Sequence, residues 1–235
     1  MGLFGKRKNK QPPALQMRGY PGDPGTNKCL LMAAERGVQL ETQLVDLEER
    51  ACDSPEYRAL SPFGKVPCLR DGDFVTSGAP AVLAYLDIKG NGNSLNPKKA
   101  SILSEQNFWV DLAQRFADPV VTRLVSSLAP AAPASSPAQL ESDRAGLTQA
   151  LSQLDATMAD NRQFIVGQYS FADIHWTACM HLCVLAGERA VMDPFSALAA
   201  WFERVESRNA ANGQPTYASL SSLDEVQNKR LKSVA

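Results

Sequence analysis

The sequence predicts an α/β domain followed by an all-α domain, and three observations carry that prediction. The first is the stretch Ser61 to Leu86, SPFGKVPCLRDGDFVTSGAPAVLAYL, in which two short apolar runs flank Asp71-Gly72. Asp-Gly between two such runs is a strong hairpin signal, because the turn needs positive φ and glycine supplies it without strain. The second is that the residues before this hairpin alternate strand spacing with helical spacing. The third is that beyond the Gly/Asn-rich segment Asp87–Pro97 every clear periodicity is helical.

In chain order, Leu15 to Tyr20 is a short alternating run and forms the first expected strand. Pro21-Gly22-Asp23-Pro24-Gly25 breaks the chain. Thr26 or Asn27 then caps a helix over Lys28–Arg36, with Leu30, Leu31, Ala33 and Ala34 as its apolar face and Gly37 as its C′ residue. Gln39–Leu47 alternates again and reads as a second strand. A short helical piece starts at Asp53-Ser54-Pro55-Glu56 and stops before Ser61-Pro62. Val66-Pro67-Cys68-Leu69 and Asp73–Thr76 are the hairpin strands, and helical spacing resumes from Ala81. A proline at the head of a strand is tolerated where its missing N–H is not needed by the ladder. That leaves the Val66 backbone groups available to a ligand, especially with a cis Val66-Pro67 bond.

Beyond the linker, Lys98–Leu128 has long helical spacing, with a kink or break expected at Pro119. Ala129–Pro137 is a Pro/Ala/Ser connector expected to be mobile and exposed, and Leu140–Met158 is a second helix. Ser170 and Asp173 form a capping pair at the N-cap and N3 positions of the next helix. That helix carries His175, Cys179 and Cys183 at i, i+4 and i+8. Such spacing can chelate a metal, but the helix is apolar on most sides, so a buried structural role is expected and no metal. Asp193-Pro194-Phe195 opens a last helix, with Pro194 in its first turn and Leu198, Trp201, Phe202 and Val205 facing inward. The domains expected are a disordered basic arm over 1–13, an α/β domain over 14–88, a linker over 89–97, a helical domain over 98–212 and a tail over 213–235.

Composition narrows the function classes. A net charge of −1 argues against a nucleic-acid partner, which a basic excess would mark. Five cysteines without regular spacing do not make a disulfide framework and point to a reducing compartment. The N-terminus lacks an apolar run long enough for a signal peptide, and Lys6 stands where a myristoylation signal wants Ser or Thr. No segment approaches a membrane span. A cytoplasmic location without membrane association is expected.

GKVP followed by a strand, a DGD hairpin and a helix ending in Tyr85-Leu86 resembles the thioredoxin-like domain of glutathione transferases. Phe164-Ile165-Val166-Gly167 before Ser170-x-Ala172-Asp173 is similar to that superfamily's second-domain signature. The resemblance runs in order from about Leu15 to Arg208. It implies a thioredoxin-like N-terminal domain, an all-helical C-terminal domain, glutathione as co-substrate and assembly as a homodimer. It also implies that Val66, before Pro67, pairs its backbone with the cysteinyl part of glutathione, and that Lys65 reaches the glycyl carboxylate. Gly78 and Ala79 stand where the superfamily's acid and serine grip the γ-glutamyl end, and Ser77 is the neighbouring hydroxyl that a shift of one or two residues in the loop would bring into place. Thr26 and Tyr20 are the hydroxyl candidates for stabilising the thiolate, with helix capping and aromatic packing as their bland alternatives. Asp23-Pro24 falls where thiol-transferring members carry Cys-Pro.

The expected function is therefore conjugation or transfer of a glutathione thiolate to a small apolar electrophile. Phe108, Trp109 and Leu112 are expected to line the acceptor pocket. One alternative is a non-catalytic binding or interaction protein of the same fold, favoured by Asp23 and by Gly78-Ala79. Thiol–disulfide exchange is a further alternative and would need Cys29.

Overall fold

The computed structural model describes residues 15–20, 22–45, 51–126, 136–160, 162–213 and 216. The N-terminal arm, the Ala129–Pro137 connector up to residue 135 and almost all of the C-terminal tail lie outside the described residues. Among the described residues no helix is long and apolar enough to cross a membrane.

The first half runs β1 (Leu15–Gly19), α1 (Pro24–Glu35), β2 (Leu40–Leu44), a single 3-10 turn, α2 (Pro55–Arg58), β3 (Cys68–Asp71), β4 (Phe74–Ser77) and α3 (Ala79–Lys89). The sheet order is β2-β1-β3-β4. β1 and β2 are parallel, while β3 is antiparallel to both β1 and β4. Strand alternation sends successive side chains to opposite faces. Met17 and Leu69 join Leu31, Val82, Leu83 and Leu86 in the core under α1 and α3. Cys68 faces the other way, toward Val45 and Tyr57. The sheet is thus covered on both sides.

Several boundaries differ from the sequence reading; β3 starts at Cys68 and not Val66, and β4 runs one residue later than Asp73–Thr76. α1 starts at Pro24 rather than Lys28, and its N-cap is Asp23 rather than Thr26 or Asn27. Asp is a stronger cap than Thr, and a proline at N1 is already set to helical φ, so the break and the helix start coincide. The hairpin pairs Asp71 with Phe74, so its two turn residues are Gly72-Asp73, one position later than Asp71-Gly72. Gly72, with φ of +60°, thereby takes the first central position. α3 begins two residues early, at Ala79.

The second half comprises α4 (Ala100–Leu112), a π-helical turn (Ala113–Ala117), α5 (Asp118–Ser126), α6 (Pro137–Met158), α7 (Phe171–Leu185) and α8 (Ser196–Ala211). The break expected at Pro119 takes the form of that π turn, which absorbs the missing proline N–H just upstream. α7 is the central helix: His175, Cys179 and Cys183 are all buried in it, and Trp176 donates its ring N–H to the Trp109 carbonyl at 3.1 Å. α8 starts after Asp193-Pro194, so Pro194 lies outside its first turn. Its Leu198 N–H is capped at 2.9 Å by Asp155 from α6 instead. The capping box is present as expected, and Asp173 also accepts from Ile165 N (3.1 Å) and from the Trp201 ring N–H (3.0 Å).

The two halves share a core, because Ile174 and Ala178 of α7 pack into the cluster under α1 and α3. Two ion pairs cross the same boundary. Lys28, 1% exposed on α1, meets the Asp118 carboxylate at the head of α5. Arg208 of α8 makes two bonds of 2.5 Å to Glu35 and lies 4.0 Å over the Tyr169 ring. The segment after α3 is also tied down. Arg36, nearly buried, donates to the carbonyls of Asp87 (3.1 and 3.0 Å), Gly92 (3.2 Å) and Asn93 (2.5 Å). Asp87 in turn accepts from Ser94 Oγ at 2.5 Å and Leu95 N at 2.9 Å.

Candidate functional site

β1 delivers the chain to the N-terminus of α1. The Tyr20 carbonyl accepts from Asp23 N at 2.9 Å, closing a tight loop. Asp23 Oδ2 then accepts twice from Thr26, from its N–H at 2.6 Å and from its hydroxyl at 2.9 Å. The Thr26 oxygen itself accepts from Tyr20 N at 3.2 Å. Thr26 is fully buried, and its single hydroxyl proton is committed to Asp23. The Tyr20 ring folds back over Gly22, where an added Cβ would sit 2.5 Å from ring carbon Cε1. Burial pushes the Asp23 carboxyl above its ordinary pKa, against the two Thr26 bonds and the nearby Lys28 charge, which pull it down.

The loop before β3 is held from below. Tyr57 and Ser61 hydroxyls donate to the Lys65 carbonyl at 3.0 and 2.9 Å, and Lys65 N donates to Ser61 Oγ at 3.1 Å. The Val66-Pro67 bond is cis. Among the described residues the Val66 N–H and C=O have no hydrogen-bond partner, whereas the Pro67 carbonyl accepts from Gly78 N at 2.9 Å. Gly78, at φ +88°, turns the chain from β4 into α3 in a conformation that a side chain would strain. α3 has no side-chain cap, so its first-turn N–H groups lack the usual partner.

Gly25 joins these pieces. An added Cβ there would lie 2.9 Å from Ala79 Cβ, 3.1 Å from Asp23 Oδ2 and 3.3 Å from Pro67 Cδ. The first turn of α1, the cis-proline and the start of α3 therefore meet at one point. Gly25→Ala should force α1 away from both neighbours and lower stability by about 1–3 kcal/mol, as overpacking does. Thermal unfolding of the variant beside the parent checks this.

Alongside lies an open cleft of about 380 Å³ between the two halves. Asp23, the N-cap of α1, with Pro24 and Gly25 of its first turn, forms one wall, and Asp118, Pro119, Thr122 and Arg123 of α5 form the other. Its charges are mostly spoken for. Asp118 holds Lys28 and accepts from Cys179 Sγ at 3.1 Å, while Arg123 clasps Asp143 at 2.7 and 2.6 Å.

Residues 24–88 match the family model of the glutathione S-transferase N-terminal domain, and residues 116–209 match that of the C-terminal domain. The chain belongs to the glutathione transferase superfamily. It is 26% identical over 192 residues to glutathione S-transferase F10 of Arabidopsis thaliana, a match spanning 79% of this chain and 89% of the relative. It is also 29% identical over 162 residues to a probable elongation factor 1-gamma 2 of Arabidopsis thaliana, spanning 68% of this chain and 39% of that protein. A glutathione transferase family member from Pseudomonas fluorescens, solved with two glutathione molecules bound, shares the fold at a TM-score of 0.70. Its sequence identity is 22%, with 84% of this chain and 90% of that one covered.

In this transferase fold the residues anticipated for glutathione are brought close together in part. Val66, Pro67 and Ala79 surround Gly25 or adjoin its neighbours, Ser77 and Gly78 lead into α3, and Lys65 lies exposed at the margin. The anticipated acceptor residues are not brought to the cleft. Trp109 is 4% exposed and stacks edge-on against Trp176 in the helical core. Leu112 packs against that core, and Phe108 is turned out to solvent. The cleft wall comes instead from Asp118, Pro119, Thr122 and Arg123, one helical segment later. Asp118-Pro119 in mid-helix was the available signal, but it announces a break and not the direction in which the break faces. Cys29 is fully buried, and burial pushes its thiol well above the ordinary range, so it has little thiolate character. Among the described residues there is no group of three or more His, Cys, Asp and Glu arranged to hold a metal ion.

Proposed function

We propose that the chain is an enzyme that binds glutathione along Val66 and Pro67 and transfers its sulfur to a small electrophile seated in the cleft between the halves. The observation that carries the reading is the unpartnered Val66 main chain beside the cis-proline, at the point where the first turns of α1 and α3 converge. A peptide-like ligand pairs with such a backbone as an added strand does. Its γ-glutamyl carboxylate then meets the uncapped start of α3 near Ser77, Gly78 and Ala79, and its glycyl carboxylate meets Lys65. The cysteinyl sulfur lies against the first turn of α1, with Tyr20 and Thr26 as hydroxyl-bearing neighbours. Pro24 and Pro119 offer the electrophile apolar surface, and the other lining groups are polar. The enzyme works as a homodimer in the cytoplasm, and sedimentation analysis of the purified chain tests the assembly.

A second reading, binding without turnover, is favoured by one observation: both Thr26 donors are occupied by Asp23. The superfamily relative named as an elongation factor is compatible with it. Calorimetric titration with glutathione, followed by turnover assays with aryl halides, α,β-unsaturated carbonyls and hydroperoxides, separates the two. Binding with conjugation of at least one class is the expected result. Binding with none moves the chain to the second reading, and absence of binding overturns both.

A further inference from the structure

The first turn of α1 poses a chemical problem. A preformed thiolate needs donors, and at this helix start the Thr26 N–H and O–H both point to Asp23 Oδ2, at 2.6 and 2.9 Å. A thiolate arriving there meets a carboxylate and two engaged donors. A neutral thiol meets something complementary. Asp23 Oδ1 has no hydrogen-bond partner among the described residues, and Asp23 lines the cleft. An S–H group is a donor and that oxygen is an acceptor.

Resting on the proposed function above, we propose that Asp23 is the acid–base residue of the conjugation, accepting the glutathione thiol proton on Oδ1 as the sulfur attacks. With an α,β-unsaturated carbonyl as electrophile, the S–H bond breaks and its proton goes to Asp23. The sulfur pair forms the S–C bond at the β-carbon, and the C=C π pair moves toward the carbonyl oxygen as an enolate. The Asp23 carboxylic acid then protonates the α-carbon, which restores the carboxylate. No oxidant, reductant or further reactant is needed. The same geometry makes Thr26 a positioning residue, since its two bonds hold Oδ2 and leave Oδ1 for the thiol. Burial works in the helpful direction, because a carboxylate with a raised pKa is the stronger base. The charges that bear on it are Lys28 on its own helix, which opposes the rise, and Asp118 across the cleft, which adds to it. Arg123, the other charged group of the lining, is engaged by Asp143.

Asp23→Asn in the full chain is the test. Asparagine caps a helix start as well as aspartate does and still accepts from Thr26 N, so folding is retained while the base is removed. Glutathione affinity should stay within about threefold of the parent and kcat should fall by about 10²-fold or more, the range of a lost general base. An unchanged or raised kcat would overturn the proposal, because it would show that losing the charge frees the Thr26 hydroxyl to hold a thiolate. A second measurement does not depend on the variant: the ultraviolet thiolate absorbance of glutathione bound to the parent chain at neutral pH. Its absence supports attack by a thiol that is deprotonated in the same step, and its presence contradicts that. A parent chain that binds glutathione and conjugates nothing also overturns the proposal. Failure to bind glutathione at all is a separate result and overturns the reading on which the proposal rests.

Discussion

Asp173→Ala should be the most damaging single substitution in the helical half, lowering the unfolding free energy by about 4 kcal/mol or more. The fully buried carboxylate accepts from Ile165 N, Ser170 N, Ser170 Oγ and the Trp201 ring N–H. Alanine would orphan all four donors where water does not reach, and it would unpin α8 from α7 through Trp201. Denaturant unfolding of parent and variant measures the loss. A pH dependence follows as well. Burial outweighs the four donors and pushes the Asp173 carboxyl up to about 6. The folded state therefore holds its proton more tightly than the unfolded chain, and stability falls as pH rises between about 4 and about 6. In the difference between parent and Asp173→Asn, which cannot ionise there, this component should appear as a decline of about 3 kcal/mol across that window. A flat difference would refute the assignment.

Lys28→Met is expected to cost about 3–5 kcal/mol, the usual consequence of breaking a buried pair from one side. Lys28 is 1% exposed and Asp118 about one-fifth exposed, and among the described residues Cys179 would be the remaining side-chain donor to that aspartate. Adding Asp118→Asn should restore most of the loss, because the amide still accepts from Cys179 and carries no unpaired charge. The double-mutant cycle gives the coupling directly. Additive single effects would show that the pair contributes nothing specific across the domain boundary.

Much of this architecture was legible because it is local. The hairpin, the capping box at Ser170 and Asp173, and the glycine at the end of α1 each need only a few adjacent residues. Errors of one to four residues arose where two local signals competed, as when Asp23-Pro24 served as both chain break and helix start. What could not be read was long-range. Nothing near Leu198 announces that Asp155 caps α8, and nothing near Lys28 names Asp118 as its partner. The placement of two aromatic residues was hidden for the same reason: Phe108 and Trp109 advertise apolar surface, but only packing decides that Trp109 is spent in the core and Phe108 faces water. The cis bond and the open main chain at Val66 were legible because a proline after a glycine turn constrains its own neighbourhood.

The Arg36 guanidinium has a consequence for what can enter the cleft. It threads the chain between the halves through three carbonyls, while Lys28–Asp118 and Arg208–Glu35 grip the boundary at two further points. Swinging the halves apart would have to break both ion pairs, while Arg36 shortens the free length of the chain that joins them. Under the proposed function, a cleft gripped in this way would select electrophiles by size before any selection by reactivity.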